Sequence, residues 1–122
     1  MAYREQRLGA PAIFLLPSLK LKEPARDGSS PESRLHDFLM ENFDGYTAQA
    51  GNIFGYWKDA SGADSYGEHR EFTVSLAENA KTSLLKDYLA SVAREMKEEC
   101  IYLRTSGETF LIYPAGGDPA PA

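Results

Sequence analysis

Residues 45–76, GYTAQAGNIFGYWKDASGADSYGEHREFTVSL, decide the fold, because they predict an antiparallel hairpin placed between two helices. The second half of this stretch alternates strictly, with Phe72, Val74 and Leu76 on one face and polar residues on the other. The polar run at 59–64, DASGAD, is typical of the turn between two such strands. The hairpin therefore turns its apolar end toward a core and its charged end away from it.

A helix is predicted on each side of this hairpin. The upstream helix runs from Pro31 to Asp44, because Ser30 can cap it, proline suits its first position and Gly45 follows it. The downstream helix, at 80–97, has apolar residues at helical spacing and charged residues between them. The residues predicted to form its buried stripe are Leu85, Leu89, Val92 and Met96.

Strands are predicted at both ends of the chain. Residues 12–22, AIFLLPSLKLK, predict a strand with a bulge or an unpaired stretch at Pro17. Two more strands, predicted at Cys100–Arg104 and Thr109–Tyr113, form a hairpin or a bent edge around Ser106 and Gly107. This order indicates an α+β fold, a ferredoxin-like βαββαβ sandwich with two helices on one face of an antiparallel sheet and an extra C-terminal strand. We expect one domain over residues 1–114, followed by a disordered tail at 115–122 rich in Pro, Gly and Ala.

Composition limits the possible partners. The chain has 122 residues and a formal net charge of −5, which argues against binding to nucleic acid or to an anionic membrane surface. Its single cysteine, Cys100, excludes an internal disulfide and is expected to be buried and inert. No signature of a metal site or of a nucleotide cofactor occurs, so we expect neither a metal nor a cofactor. The apolar run near the start is too short and interrupted for a membrane span, which favours a cytoplasmic protein.

The second face of the predicted sheet has no helix to cover it. The aromatic residues available for that face are Phe14, Tyr46, Trp57 and Tyr102. Such a face would expose more apolar surface than a monomer usually does, which indicates self-association as a homodimer or homotrimer.

The hairpin also carries the candidate binding site. Aromatic rings stand beside glycines and beside a Glu-His-Arg triplet, a combination that could hold a small planar or polar ligand, with the arginine pairing an anion. The candidate site residues are Tyr46, Tyr56, Trp57, Glu68, His69 and Arg70. A structural interpretation stays open beside this one, in which the rings belong to the sheet core and the triplet is a solvated strand end. No catalytic residue follows from the spacing alone.

The run FxxxNFDGYTxxxGxxxGYWxDxxG, which begins at Phe38 and ends at Gly62, resembles a group of small bacterial and phage proteins. That group consists of uncharacterised domains of unknown function with a ferredoxin-like fold, distantly similar to PII and CutA-type proteins. The resemblance covers about residues 31–113. It implies the fold, and it brings no catalytic residues to this chain.

Two functional hypotheses follow. The first is a non-enzymatic, homo-oligomeric accessory or regulatory protein, for example of a mobile element, that binds a small ligand or a protein partner. The alternative is an enzyme on the same scaffold, similar to ferredoxin-like monooxygenases and isomerases, which would use a pocket between sheet and helices. In that case His69, Arg70 and Tyr46 are the candidate active-site residues.

Overall fold

The computed structural model describes residues 2–58 and 60–114, which form an α+β fold with two α-helices and a six-stranded antiparallel sheet. The strands are β1 (Ala10–Pro17), β2 (Thr47–Ala48), β3 (Ile53–Lys58), β4 (Asp64–Leu76), β5 (Ile101–Thr105) and β6 (Glu108–Ile112), and the helices are α1 (Pro31–Phe43) and α2 (Asn79–Glu95). The predicted α+β class is confirmed. The expected disordered tail at 115–122 lies outside the described residues.

The long strand β4 organises the sheet, whose order is β2-β4-β1-β5-β6, with β3 also paired to β4. Its C-terminal half pairs with β1, from Leu76 opposite Ala10 to His69 opposite Pro17. Its N-terminal half pairs with β3, from His69 opposite Ile53 onward. The β3–β4 hairpin therefore extends beyond the part of β4 that lies between β1 and β2.

Both helices pack on the same face of this sheet, which we call the helix side; the opposite face is the open side. Phe14 of β1 and Phe72 of β4 are buried there, with ring centroids 5.4 Å apart. The other residues buried in this core come from β1, β4, β5, both helices and the segment after β1, and include Ala12, Leu16, Leu21, Leu35, Leu39, Val74, Leu85, Leu89, Val92, Ile101 and Leu103. Neither helix of the described chain is long and apolar enough to cross a membrane.

The helices begin and end close to their predicted limits. Ser30 caps α1 together with Ser33, each side chain accepting from the other's backbone N–H. The helix ends at Phe43, because Asp44 adopts the left-handed conformation at φ 60°; the sequence had indicated Gly45 for that role. All four residues of the predicted stripe are buried, three of them within α2 and Met96 directly after it.

The first strand is shorter than predicted. It ends at Pro17, and the chain then forms a single 3-10 turn at Lys20–Lys22. No bulge forms at the proline, because it occupies the last position of the strand, where its missing N–H costs no internal ladder bond. Leu21 is buried by the 3-10 turn, although its alternation with polar neighbours is typical of a strand.

The last two strands form the predicted hairpin. Ser106 and Gly107 connect β5 to β6, and both have positive φ, at 53° and 76°. This is the backbone conformation that a two-residue turn needs to match the twist of the strands.

The aromatic residues expected on the open side are divided between the two faces. Phe14 lies in the core on the helix side, and Tyr46 packs near Phe72 on that same side. Trp57 and Tyr102 lie on the open side, with ring centroids 5.7 Å apart. The expectation was wrong for Phe14 because β1 has apolar residues on both of its faces. The sequence of this strand therefore does not show which of its residues point toward the helices.

Candidate functional site

The six candidate residues do not form one cluster, because neighbouring residues of a strand point to opposite faces. On β4, Glu68 and Arg70 belong to the helix side, together with buried Phe72, whereas His69 belongs to the open side. On β3, Tyr56 is paired with Tyr66 and shares the helix side with it. The structure therefore places Tyr46, Tyr56, Glu68 and Arg70 on one side and Trp57 and His69 on the other.

Exposed aromatic rings and a carboxylate share the helix side of the hairpin, beyond the helices. We call this surface the hairpin face and define it by Phe54, Tyr56, Tyr66 and Glu68. Its three aromatic residues, Phe54, Tyr56 and Tyr66, are 58%, 74% and 60% exposed, respectively. The ring of Tyr66 lies 4.8 Å from that of Tyr56 and 6.3 Å from that of Phe54, centroid to centroid. The three rings thus form one contiguous aromatic surface in contact with solvent.

The carboxylate of the hairpin face is held by a short chain of polar groups. The side-chain amide of Asn52 donates to Glu68 Oε1, and the hydroxyl of Ser18 donates to the Asn52 carbonyl over 2.8 Å. The backbone N–H of Ser18 also donates to the carbonyl of Glu68, over 3.1 Å. These contacts orient the Glu68 side chain before any ligand arrives.

Arg70 is fixed between a carboxylate and an aromatic ring. Its Nη1 donates to Glu32 Oε2, in the first turn of α1, and its guanidinium carbon lies 5.5 Å from the centroid of the Phe72 ring. Lys22 Nζ lies 3.5 Å from the other oxygen of Glu32. The side chains of Arg70 and Glu32 remain 25% and 34% exposed, so a solute can reach both.

Tyr46 belongs to a different concavity. Its hydroxyl lies 2.8 Å from His36 Nδ1, and it lines a groove of about 490 Å³ between the end of α1 and the start of α2. Within the groove, Lys81 Nζ donates to the backbone carbonyl of Asn42 over 2.7 Å, so the protein itself provides one hydrogen-bond partner for this ammonium group. The groove lies at the other end of α1 from Glu32.

The two candidates on the open side pack over paired glycines. Gly55 and Gly67 face each other across the hairpin, and a Cβ at Gly55 would overlap the Trp57 ring, as one at Gly67 would overlap the His69 ring. The two rings lie 5.3 Å apart. Glycine is required at both positions because the rings occupy the space of a side chain.

His69 packs within the hairpin, with its ring over Gly67. It is buried, and burial lowers the pKa of its imidazole below the ordinary value, against opposing effects of the Gly67 carbonyl and of Glu98. A histidine with a lowered pKa is neutral at neutral pH. Within residues 2–58 and 60–114, neither His69 Nδ1 nor Trp57 Nε1 has a hydrogen-bond partner.

The chemistry available to the hairpin face is recognition of a planar or cationic molecule. Aromatic faces attract cations and stack on planar heterocycles, and a carboxylate adds charge complementarity. A recess of about 300 Å³ opens beside Tyr56 and Trp57 at the edge of β3. The described residues contain no cluster of His, Cys, Asp or Glu able to hold a metal ion, and Cys100 is buried away from this surface.

Comparison with known proteins gives a match in structure alone. No family model and no curated protein sequence matches the chain. It is similar in structure to a phage SAM lyase in complex with S-methyl-5'-thioadenosine, with a TM-score of 0.52 and 12% identity, over 97% of this chain and 99% of that chain. For the phage SAM lyase in the apo state, the TM-score is 0.53 and the identity 11%, over 95% and 100% of the two chains.

These matches correct the first functional hypothesis. At such low identity they show the fold, which this chain shares with an enzyme, a phage SAM lyase. The prediction of a non-enzymatic accessory or regulatory protein is therefore wrong, and the enzyme alternative fits better. The matches agree with the resemblance to small phage proteins, and they give no support to a similarity with PII or CutA-type proteins.

Proposed function

We propose that this protein is a lyase that binds S-adenosylmethionine (SAM), or a closely similar sulfonium nucleoside, on the hairpin face and cleaves it. One observation carries the proposal: three exposed aromatic rings lie beside Glu68, whose carboxylate Asn52 holds in place. The similarity in fold to a phage SAM lyase, over nearly the whole of both chains, supports it.

The ligand has two features that this surface complements. Its adenine is planar and stacks on aromatic side chains, an interaction that contributes about 1 to 3 kcal/mol per base. Its sulfonium is a permanent cation, which is attracted both to the faces of Tyr56 and Tyr66 and to the carboxylate of Glu68. A neutral nucleoside would stack on the aromatic rings but would lack the attraction to the carboxylate of Glu68.

The reaction requires no nucleophile from the protein. Release of S-methyl-5'-thioadenosine breaks the bond between the sulfonium sulfur and the γ carbon of the amino-acid portion, and the electron pair of that bond stays on sulfur. A carboxylate oxygen of the substrate can form the new bond to the γ carbon, which closes a lactone without water. The protein then has to bind the substrate in a bent conformation, which positioning of its groups achieves, and it has to exclude solvent.

We infer that a second copy of the chain covers the hairpin face. A single copy leaves Tyr56 74% exposed, so it cannot exclude water from a ligand bound there. Sedimentation equilibrium is expected to show a homodimer or homotrimer at micromolar concentration, and a monomer at every concentration would contradict this inference.

We also infer a ferredoxin-like arrangement for a single domain over residues 1–114. The order β3-β4-β1-β5, with one helix after β1 and one after β4, is the order that the split βαβ pattern produces. An enzyme that acts on SAM meets its substrate in the cytoplasm, which is where we place it.

The test of the proposed function is incubation of the purified protein with SAM, followed by separation of the products and mass spectrometry. We expect S-methyl-5'-thioadenosine to appear far faster than with heat-denatured protein. In water enriched in oxygen-18, the oxygen on the γ carbon of the other product is expected to carry no label, because water does not attack that carbon. Absence of cleavage above the denatured control would overturn the proposal. Label on that oxygen would show that water attacks the γ carbon, so that the protein is a hydrolase and not a lyase.

A further inference from the structure

We propose that Arg70 and Glu32 together form a receptor for a zwitterionic α-amino acid group. The inference rests on the proposed function and extends it, because it names the residues that bind the amino-acid end of the substrate. The juxtaposition that carries it is an accessible ion pair placed directly beside the hairpin face.

An ion pair of this kind is complementary to an amino acid in both charges. A free α-amino acid group carries an ammonium and a carboxylate two bonds apart. The guanidinium of Arg70 can donate to one oxygen of the carboxylate, which leaves the other oxygen free to reach the γ carbon, and the carboxylate of Glu32 can accept from the ammonium. Binding therefore exchanges one internal ion pair for two pairs with the ligand, and neither protein charge loses its partner.

The position of Arg70 matches the order of groups in the substrate. Tyr66, Glu68 and Arg70 are alternate residues of β4 on the same side, and successive members of such a series lie about 6.8 Å apart. The three side chains thus cover roughly 13 Å along the strand. A base on Tyr66 and a sulfonium at Glu68 leave the amino-acid end of the substrate at Arg70.

The pair is also held in place on the protein side. The Phe72 ring lies under the Arg70 guanidinium, and the position of Glu32 in the first turn of α1 is fixed by the Ser30 cap. Such fixed groups lose little conformational freedom on binding, which favours affinity. Both side chains nevertheless keep enough exposure to exchange partners.

A second ion pair on α1 supplies a matched control. Arg34 Nη2 lies 2.7 Å from Glu95, which places this pair between the two helices and away from β4. Its side chains are 34% and 46% exposed, so the two pairs have similar access to solvent. Loss of a charge at Arg34 reproduces any general effect of removing an arginine from this part of the protein.

The experiment measures binding of two stable nucleosides by calorimetry. S-adenosylhomocysteine carries the amino-acid end and has no sulfonium, so it is not cleaved, and S-methyl-5'-thioadenosine lacks the amino-acid end. We expect Arg70→Gln to weaken binding of S-adenosylhomocysteine by about 10- to 100-fold and to leave binding of S-methyl-5'-thioadenosine within twofold of the wild type. Glu32→Gln should act in the same direction, and Arg34→Gln should change neither affinity.

The outcomes separate this receptor from the proposed function. If Arg70→Gln preserves the preference for S-adenosylhomocysteine, or weakens both ligands equally, the receptor is overturned. Cleavage of SAM by the wild-type protein is measured in parallel. Its result tests the proposed function and does not depend on the preference between the two ligands. Unchanged binding of S-methyl-5'-thioadenosine by the variant shows that it is folded.

Discussion

Glutamine in place of Glu68 is expected to lower kcat/KM for SAM cleavage by about 30-fold. The change removes one negative charge beside the sulfonium, and an interaction of about 2 kcal/mol at a partly solvated site corresponds to that factor. Glutamine keeps an oxygen in the position that accepts from Asn52, so the side chain stays oriented. The loss should fall more in KM than in kcat, because the positive charge on sulfur is largest before the bond breaks.

Steady-state kinetics on the variant, with Glu71→Gln as the control, measures this effect. Glu71 lies on the same strand and directs its side chain to the open side, so its substitution is expected to leave kcat/KM within twofold. Equal losses in the two variants would show that the overall charge of the protein, rather than a carboxylate at the hairpin face, attracts the substrate.

Phe72→Ala is expected to lower the free energy of unfolding by about 3 to 5 kcal/mol, the usual range for truncating a buried phenylalanine. Phe72 is almost fully buried, stacks on Phe14 and lies beneath both Arg70 and Tyr46. The same change also removes the ring that supports the Arg70 guanidinium. Binding of an amino-acid end should therefore weaken even at temperatures where the variant is folded.

Urea denaturation compares this variant with Tyr66→Ala, which removes a ring from the same face of the same strand. Tyr66 is 60% exposed, so its loss is expected to cost less than about 1 kcal/mol. A cost below 1 kcal/mol for Phe72→Ala would contradict the placement of this residue in the core.

Local sequence patterns predicted the elements whose apolar residues recur at a regular spacing and lie on one face. The alternation of β4 and the spacing of α2 are of this kind, and both place the expected residues in the core. The end of β1 could not be predicted in this way. Leu21 alternates with polar residues as in a strand, but its burial depends on tertiary packing of the 3-10 turn against the core.

The candidate site was predictable in part. Alternation along β4 already separates His69 from Arg70, although the sequence hypothesis grouped them. The partners that orient the charged groups are distant in sequence: Glu32 is 38 residues from Arg70, and Ser18 is 34 residues from Asn52. Contacts of that kind depend on how α1 and the segment after β1 cross the sheet, and no local pattern indicates them.

The proposed type of function does not follow from residue motifs. Sequence motifs for catalysis are based on nucleophiles, metal ligands and phosphate-binding loops, and none of these motifs occurs in the chain. Cleavage of a sulfonium by an internal carboxylate needs only aromatic rings and charges in the right places. Such groups are common on any protein surface, so they acquire meaning only when the fold brings them together.

Hydrogen–deuterium exchange with and without saturating S-methyl-5'-thioadenosine tests the location of the binding site most directly. The hairpin face as the site predicts slower exchange at residues 53–58 and 64–70. Exchange is expected to stay unchanged at 41–47 and at Ala77, Glu78 and Lys81, which line the groove near Tyr46. Protection of the groove residues with an unchanged hairpin would contradict the assignment of the site to the hairpin face.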